Sequence, residues 1–158
     1  MGFGSELGRG VREYLPAATG VRSMMAHWLV TVIQIDKKRR YKGIAMRAGN
    51  MVWTMKSHVK QVFVTDDDID IWSRDDIIWA FASRCQVHKD IVMIPNASGV
   101  RLDPSEPYGE EEGISCRLTI NCTEPFSPMH APYIRGTALP TVETREMVKK
   151  RWDEYFEK

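Results

Sequence analysis

Four aspartates crowd the end of a short apolar run: Asp66, Asp67, Asp68 and Asp70 in VFVTDDDIDI. Hard cations prefer carboxylate oxygens, so such a cluster could hold magnesium or calcium. The calcium-loop pattern is not completed, because no glycine stands at the loop's sixth position and no glutamate closes it. We read one aspartate as capping the next helix and the others as solvated at the carboxyl edge of a sheet. Open α/β sheets place ligands along that edge, so the cluster is expected at the border of a site or partner without being a site itself.

Other reactive residues make weaker patterns. The spacings Cys85 to His88, Cys116 to Cys122 and Cys122 to His130 give no two close ligand couples, so zinc is not expected. No Gly-x-Ser-x-Gly elbow is present, and Cys85 falls on an apolar helix face as inert core. The glycines at 2, 4, 8 and 10 precede any strand and make no dinucleotide loop. No catalytic residue and no metal ligand is assigned. The best site candidate is the loop Asn96-Ala97-Ser98-Gly99-Val100-Arg101-Leu102, which follows a strand. Its alternative is a plain turn at Gly99 with Val100 and Leu102 covering the core.

These residues need a scaffold. A length of 158 residues suits one domain, with a core over about 5–104, a loop and tail over 105–140 and a C-terminal helix over 141–156. A formal net charge of +1 argues against nucleic acid and anionic membranes as partners. The basic run Lys37-Lys38-Arg39-Arg40 reads as a solvated turn after a strand. No leader or membrane span is visible, and three irregularly spaced cysteines make no disulfide framework, so a reducing cytoplasm is expected.

Ser5 to Tyr14 predicts a short helix with Leu7, Val11 and Tyr14 on one face, and Pro16 and Gly20 then break the pattern. HWLVTVIQI is rich in β-branched residues and predicts a buried strand. Over Gly43 to Ser57, the residues Ile44, Ala48, Met51, Val52 and Met55 form one helical stripe. Gln61 to Thr65 is the next strand. Ser73 is a good N-cap for a helix burying Ile77, Ile78, Phe81 and Cys85. Asp90 to Ile94 is a third strand. The alternation predicts an α/β fold, a mostly parallel sheet flanked by helices. Ser105 to Gly113 is an acidic exposed loop, and Cys116 to Asn121 a short strand, perceived as an edge. Four prolines between Pro125 and Pro140 exclude regular structure there, and Phe126 and Tyr133 favour pinning against a partner. Thr141 to Phe156 closes the chain as a helix, with Val142, Met147, Val148, Trp152, Tyr155 and Phe156 as contacts.

This order resembles the C-terminal domain of the UbiD-type decarboxylases, enzymes that use prenylated FMN. The resemblance runs over about Ser5 to Phe156 and is most specific at DDDIDI (Asp66 to Ile71), IIWAFASR (Ile77 to Arg84), Lys89-Asp90 and GVRLDP (Gly99 to Pro104). Weaker echoes are VIQIDKKRRYKGIAMRA, LTINCTEP and the closing WDEYF; Asn121-Cys122 stands where the family has an aspartate–alanine pair. The resemblance implies that this domain drives oligomerisation and closes over an active site housed elsewhere. Prenylated FMN, a divalent metal, potassium and the glutamate–arginine–glutamate proton-handling set belong to the family's middle domain. This chain alone is therefore expected to bind no cofactor and to carry no catalytic residue. By the same match Ser98, Gly99, Val100 and Leu102 form a substrate-pocket lid.

The expectation that follows is a small subunit of a split UbiD-type carboxylase/decarboxylase acting on aromatic or unsaturated acids, partnered by a larger flavin-bearing subunit and self-associating. The Met1 start favours a separate gene product. The alternatives are a non-catalytic scaffold subunit, or a stand-alone small-molecule-binding protein.

Overall fold

The structure is a computed structural model that describes residues 3–24, 29–56, 58–100, 103–105, 113–126 and 140–156. The chain divides into two compact units, Met1–Phe126 and Ser127–Lys158. The first unit is an α/β layer structure. Its elements are α1 (Phe3–Tyr14), β1 (Ala18–Met24), β2 (Val30–Ile35), α2 (Ile44–Met55), β3 (Gln61–Asp66), α3 (Arg74–Arg84), the single turn α4 (Val87–Asp90), β4 (Ile91–Ser98) and β5 (Ile114–Cys122).

The five strands lie in the order β1-β2-β3-β5-β4. β2, β3 and β5 run parallel, and both outer strands run antiparallel to their neighbours. Side chains alternate across a strand, so each central strand feeds two cores. Ile33, Ile35, Val62 and Val64 bury against Leu7, Val11 and Leu15 of the α1 region and Ile44, Ala48 and Val52 of α2. On the opposite face, Phe63, Ile120 and Cys122 meet Ala80 and Phe81 of α3, while Val32 meets Ile71 and Ile77. The near-unbroken apolar runs of β2 and β3 are what a strand covered on both faces requires.

Several elements depart from the sequence expectation. β1 falls where Pro16 and Gly20 were read as breaks. A Cβ at Gly20 would stand 2.9 Å from Ile71 Cδ1, and the strand carries a bulge between Ala18 and Gly20. The segment read as an edge strand, Cys116 to Asn121, instead lies inside the sheet between β3 and β4. The strand expected at Asp90 to Ile94 extends to Ser98 and returns antiparallel to β5 as the outermost strand. The single turn of α4 stands between α3 and β4.

Two predicted faces are also corrected. Tyr14 is exposed, and Leu15, one residue on, takes the buried place. On α3, Ile78 is 61% exposed and the buried face runs Ile77, Ala80, Arg84. That spacing of three and four is one helical face, completed by an arginine rather than by an apolar residue. The N-cap of α3 is Ser73, whose Oγ accepts the Asp76 N–H at 3.2 Å.

In the second unit the predicted closing helix is two pieces, α5 (Val142–Lys150) and α6 (Trp152–Phe156), separated at Arg151. Thr141 caps α5 through the Thr144 N–H. Val142, Met147, Trp152 and Tyr155 are exposed, while the side chain of Phe156 and nearly all of the proline-rich tail lie outside the described residues. No helix among the described residues is long and apolar enough to cross a membrane.

Candidate functional site

The loop read as a lid leaves the sheet at the end of β4. Ser98 pairs with Ile114, and the Gly99 N–H donates to Gly113 O at 2.5 Å, which closes the base of the loop. Asn96, just before, holds a left-handed φ of 55°, a conformation asparagine tolerates, within the bulge between Ile94 and Ala97. Val100 is half-buried, and its carbonyl accepts the Asp103 N–H at 2.8 Å. Leu102, the fourth lid residue, lies outside the described residues, as do Arg101 and 106–112.

The stem is held by groups that the sequence reading did not single out. Lys60 Nζ reaches Asp103 Oδ2 at 2.8 Å and Ser105 Oγ at 2.5 Å. Ser105 donates its N–H and its hydroxyl to Asp103 Oδ1 at 3.0 and 2.8 Å. Burial pushes the Asp103 carboxyl up, but the Lys60 and Ser105 hydrogen bonds outweigh it and hold the group below its ordinary value. Arg117, buried on β5, donates through Nη2 to Ser98 O. Nearby His58 is lowered by burial first, then by the charges of Lys56 and Arg117. The signal in the sequence was Asp-Pro-Ser at 103–105, an Asx-type turn with a lysine available just before β3.

The aspartate cluster sits elsewhere. Thr65, next to Asp66, pairs with Cys122, whereas Ser98 pairs with Ile114 at the other end of the same strand. Eight residues of β5 separate the two levels, roughly 26 Å at strand rise. The structure does not bring the lid and the carboxylates together.

Nor are the aspartates all solvated at that edge. Asp66 is fully buried; its Oδ2 accepts the Glu124 N–H at 2.6 Å and Arg40 Nη1 at 3.1 Å, with Arg84 Nη1 at 3.7 Å. Asp68 takes Arg84 at two points, Nη1 to Oδ1 at 3.0 Å and Nη2 to Oδ2 at 2.5 Å. Asp67 Oδ1 accepts the Lys37 N–H at 3.4 Å, and Asp70 Oδ1 accepts the Trp72 N–H at 2.8 Å as a turn. The basic run is likewise not simply a solvated turn. Arg40 bonds Glu124 O at 2.5 Å and stacks over Phe126 at 4.5 Å, and Lys37 pairs with Glu124. Burial raises Asp66 above its ordinary value despite its cations. For Asp68 burial acts upward too, but the Arg84 hydrogen bonds win and the group is lowered. Three acids and three bases thus lock the ends of β3 and β5 to the loop after β2. This is a structural ion network, and it leaves no cluster of open carboxylate oxygens for a hard cation.

Two further places carry groups that could bear chemistry. An open, mainly apolar groove of about 750 Å³ between α1 and α2 is lined by Tyr14, Arg47, Asn50, Met51, Thr54 and Met55. Its cation, Arg47, donates to Tyr41 Oη and Tyr14 O, both at 3.1 Å. Cys85 and Cys122 are hydrogen-bonded neighbours whose thiols are both pushed up, chiefly by burial. A raised thiol is a poor nucleophile, but Cys85 is the half-buried C-cap of α3 and not core on its apolar face. Among the described residues, no group of three His, Cys, Asp or Glu side chains could hold a metal ion.

Comparison with known proteins gives one consistent result. The family model for the 3-octaprenyl-4-hydroxybenzoate carboxy-lyase C-terminal domain matches residues 7–122. A phenolic acid decarboxylase of Escherichia coli O157:H7 is 29% identical over 143 residues, covering 89% of this chain and 29% of that protein. An anhydromevalonate phosphate decarboxylase of Aeropyrum pernix is 33% identical over 130 residues, covering 80% and 28%. The structure of the UbiD-class enzyme HmfF from Pelotomaculum thermopropionicum in complex with FMN superimposes with a TM-score of 0.73 at 30% identity, covering 89% of this chain and 30% of that one. The chain therefore spans about three tenths of the length of the relatives it matches.

Proposed function

The chain belongs to the UbiD carboxy-lyase family through that family's C-terminal domain, and from this premise we propose that it acts as the C-terminal-domain subunit of a split UbiD-type carboxylase/decarboxylase for aromatic or unsaturated acids. The observation that carries the reading is the span of the match. Nearly all of this chain corresponds to about 30% of the relatives' length, and in this reading a larger partner supplies the remaining domains.

In this reading the larger chain holds prenylated FMN with its divalent metal and potassium, and the reaction is reversible loss or addition of CO2 there. This chain, one domain with a tail, supplies no group that forms or breaks a bond. Its loop Ser98 to Leu102 covers the pocket, and the partner and further copies of itself occupy its surfaces. The setting is the cytoplasm. Support for a covering role comes from the loop's construction: a stem anchored on the sheet and bonded to the Val100 carbonyl.

A second reading, a scaffold that holds the assembly but leaves the pocket alone, is favoured by apolar side chains left exposed on the first unit. Trp72 is 71% exposed and Met93 62%. Gentle anaerobic purification from the native cells, with mass spectrometry and an absorbance spectrum, tests the first reading. A larger chain with flavin-like absorbance is expected to co-purify. If the purified flavin-bearing chain is fully active and unchanged without this one, the split-enzyme reading is wrong. Leu102→Asp then separates lid from scaffold: a lid residue lowers turnover with assembly intact.

A further inference from the structure

Lys60 is a rigid point. Its N–H donates to Leu29 O at 2.7 Å and its carbonyl accepts the Leu118 N–H at 2.9 Å, so its backbone is tied into the sheet on both sides. From that point Nζ crosses to Asp103 and Ser105, in a half-buried place where the carboxylate partner is only 5% exposed. Asp103 in turn reaches Val100, because its own N–H is the donor to Val100 O. The chain of contacts therefore runs sheet, Lys60, Asp103, Val100.

A loop attached only at Ser98 and Gly113 would be free to pivot about the Gly99–Gly113 hydrogen bond. The Lys60–Asp103 pair adds an attachment point beyond that pivot. Charge-assisted hydrogen bonds of this length are the strong kind, and here solvent screens them little. The Arg117 bond to Ser98 O secures the near side of the loop.

We propose that Lys60 and Asp103 are positioning residues: their ion pair sets the height and direction at which Val100 is presented to the substrate pocket. This rests on the reading above that the Ser98 to Leu102 loop covers the pocket. Neither residue touches substrate. Lys60→Met keeps the stem's bulk and removes the cation; Asp103→Asn keeps the shape and removes the charge; Lys60→Arg keeps the charge.

The test uses the full chain, alone and assembled with its flavin-bearing partner. In the chain alone, amide hydrogen exchange at Asp103 and Gly99 is measured for Lys60→Met and Asp103→Asn. Exchange at Asp103 is expected to quicken about tenfold or more, the scale of one charged hydrogen bond, with Lys60→Arg close to wild type. In the assembled enzyme the same two variants are expected to lower kcat/KM about tenfold, and the double variant to be no worse than either single one. Unchanged exchange at Asp103 overturns the clamp. Faster exchange with unchanged kcat and KM overturns its role in positioning. Leu102→Asp tells the two levels apart. If that variant lowers turnover while Lys60→Met does not, the lid reading stands and only this inference falls. If neither variant alters turnover, the lid reading itself has failed. Should Lys60→Met fail to fold, Asp103→Asn and Lys60→Arg carry the same comparison.

Discussion

Arg84 and Asp68 face each other as a two-point ion pair, Nη1 to Oδ1 at 3.0 Å and Nη2 to Oδ2 at 2.5 Å, with Asp66 Oδ2 3.7 Å from the same guanidinium. Arg84 is 2% exposed on the buried face of α3 and stacks over Trp79 at 5.2 Å. One side chain therefore joins the α3 layer to the carboxyl end of β3.

Removing that cation leaves a fully buried carboxylate at Asp66 with Arg40 as its remaining close cation. Arg84→Met should destabilise the chain by roughly 3–5 kcal/mol, the scale of a broken buried pair. Arg84→Lys should lose less but not nothing, since an ammonium cannot reproduce the planar fork. Urea denaturation followed by tryptophan fluorescence measures both. A loss under about 1 kcal/mol for the methionine variant would mean the network contributes little.

Acid should weaken the fold through Asp103. Its carboxyl lies below the ordinary 3.8, so its contribution is complete above that value and is lost as pH falls through the lowered folded one. Asp66 has the opposite sign: raised in the fold, it takes up its proton more readily folded than unfolded. The informative quantity is therefore wild type minus Asp103→Asn, in which Asp66 cancels. That difference should be constant above about pH 5 and shrink in acid below about pH 4.

Gly49 faces Thr119 across the α2–β5 contact, and a Cβ there would overlap the threonine hydroxyl. Gly49→Ala gains helix propensity but forces α2 away from the sheet, and the overlap should win by about 1–3 kcal/mol. Thr119→Ala in the same chain should recover part of the loss. Thermal melts of the single and double variants decide this; additive losses would show that the two positions do not meet.

Cys122 is fully buried and its thiol is pushed up by burial, then by Cys85 and Asp90. Iodoacetamide at pH 8 should leave Cys122 unmodified in the folded chain over a time in which the guanidinium-unfolded chain is fully alkylated. Peptide mass spectrometry reads each cysteine separately. Equal rates in the two states would mean that β5 is not inside the sheet.

The strongest local signals in the sequence came through intact. The β-branched runs at 30–35 and 61–66 are strands, Ile44, Ala48 and Val52 of the α2 stripe are buried while Met51 and Met55 are half-buried, and Ser73 caps α3. The family was readable because its motifs sit in those same elements. The lid was readable only in outline, as a glycine loop after a strand. Its anchors were not, because Lys60 and Asp103 stand 43 residues apart.

What the sequence by itself determined was therefore the identity of the segments whose side-chain period is set within a few residues, together with the family they belong to. Tertiary structure decided the rest. The place of β5 between β3 and β4 depends on backbone pairing between distant segments, which no local period encodes. Arg84 reads as a surface residue until the buried Asp66 and the two-point contact with Asp68 make its burial favourable. The separation of the lid from the aspartates by the length of β5 follows from β4 running antiparallel to it, a pairing between strands that no local period encodes.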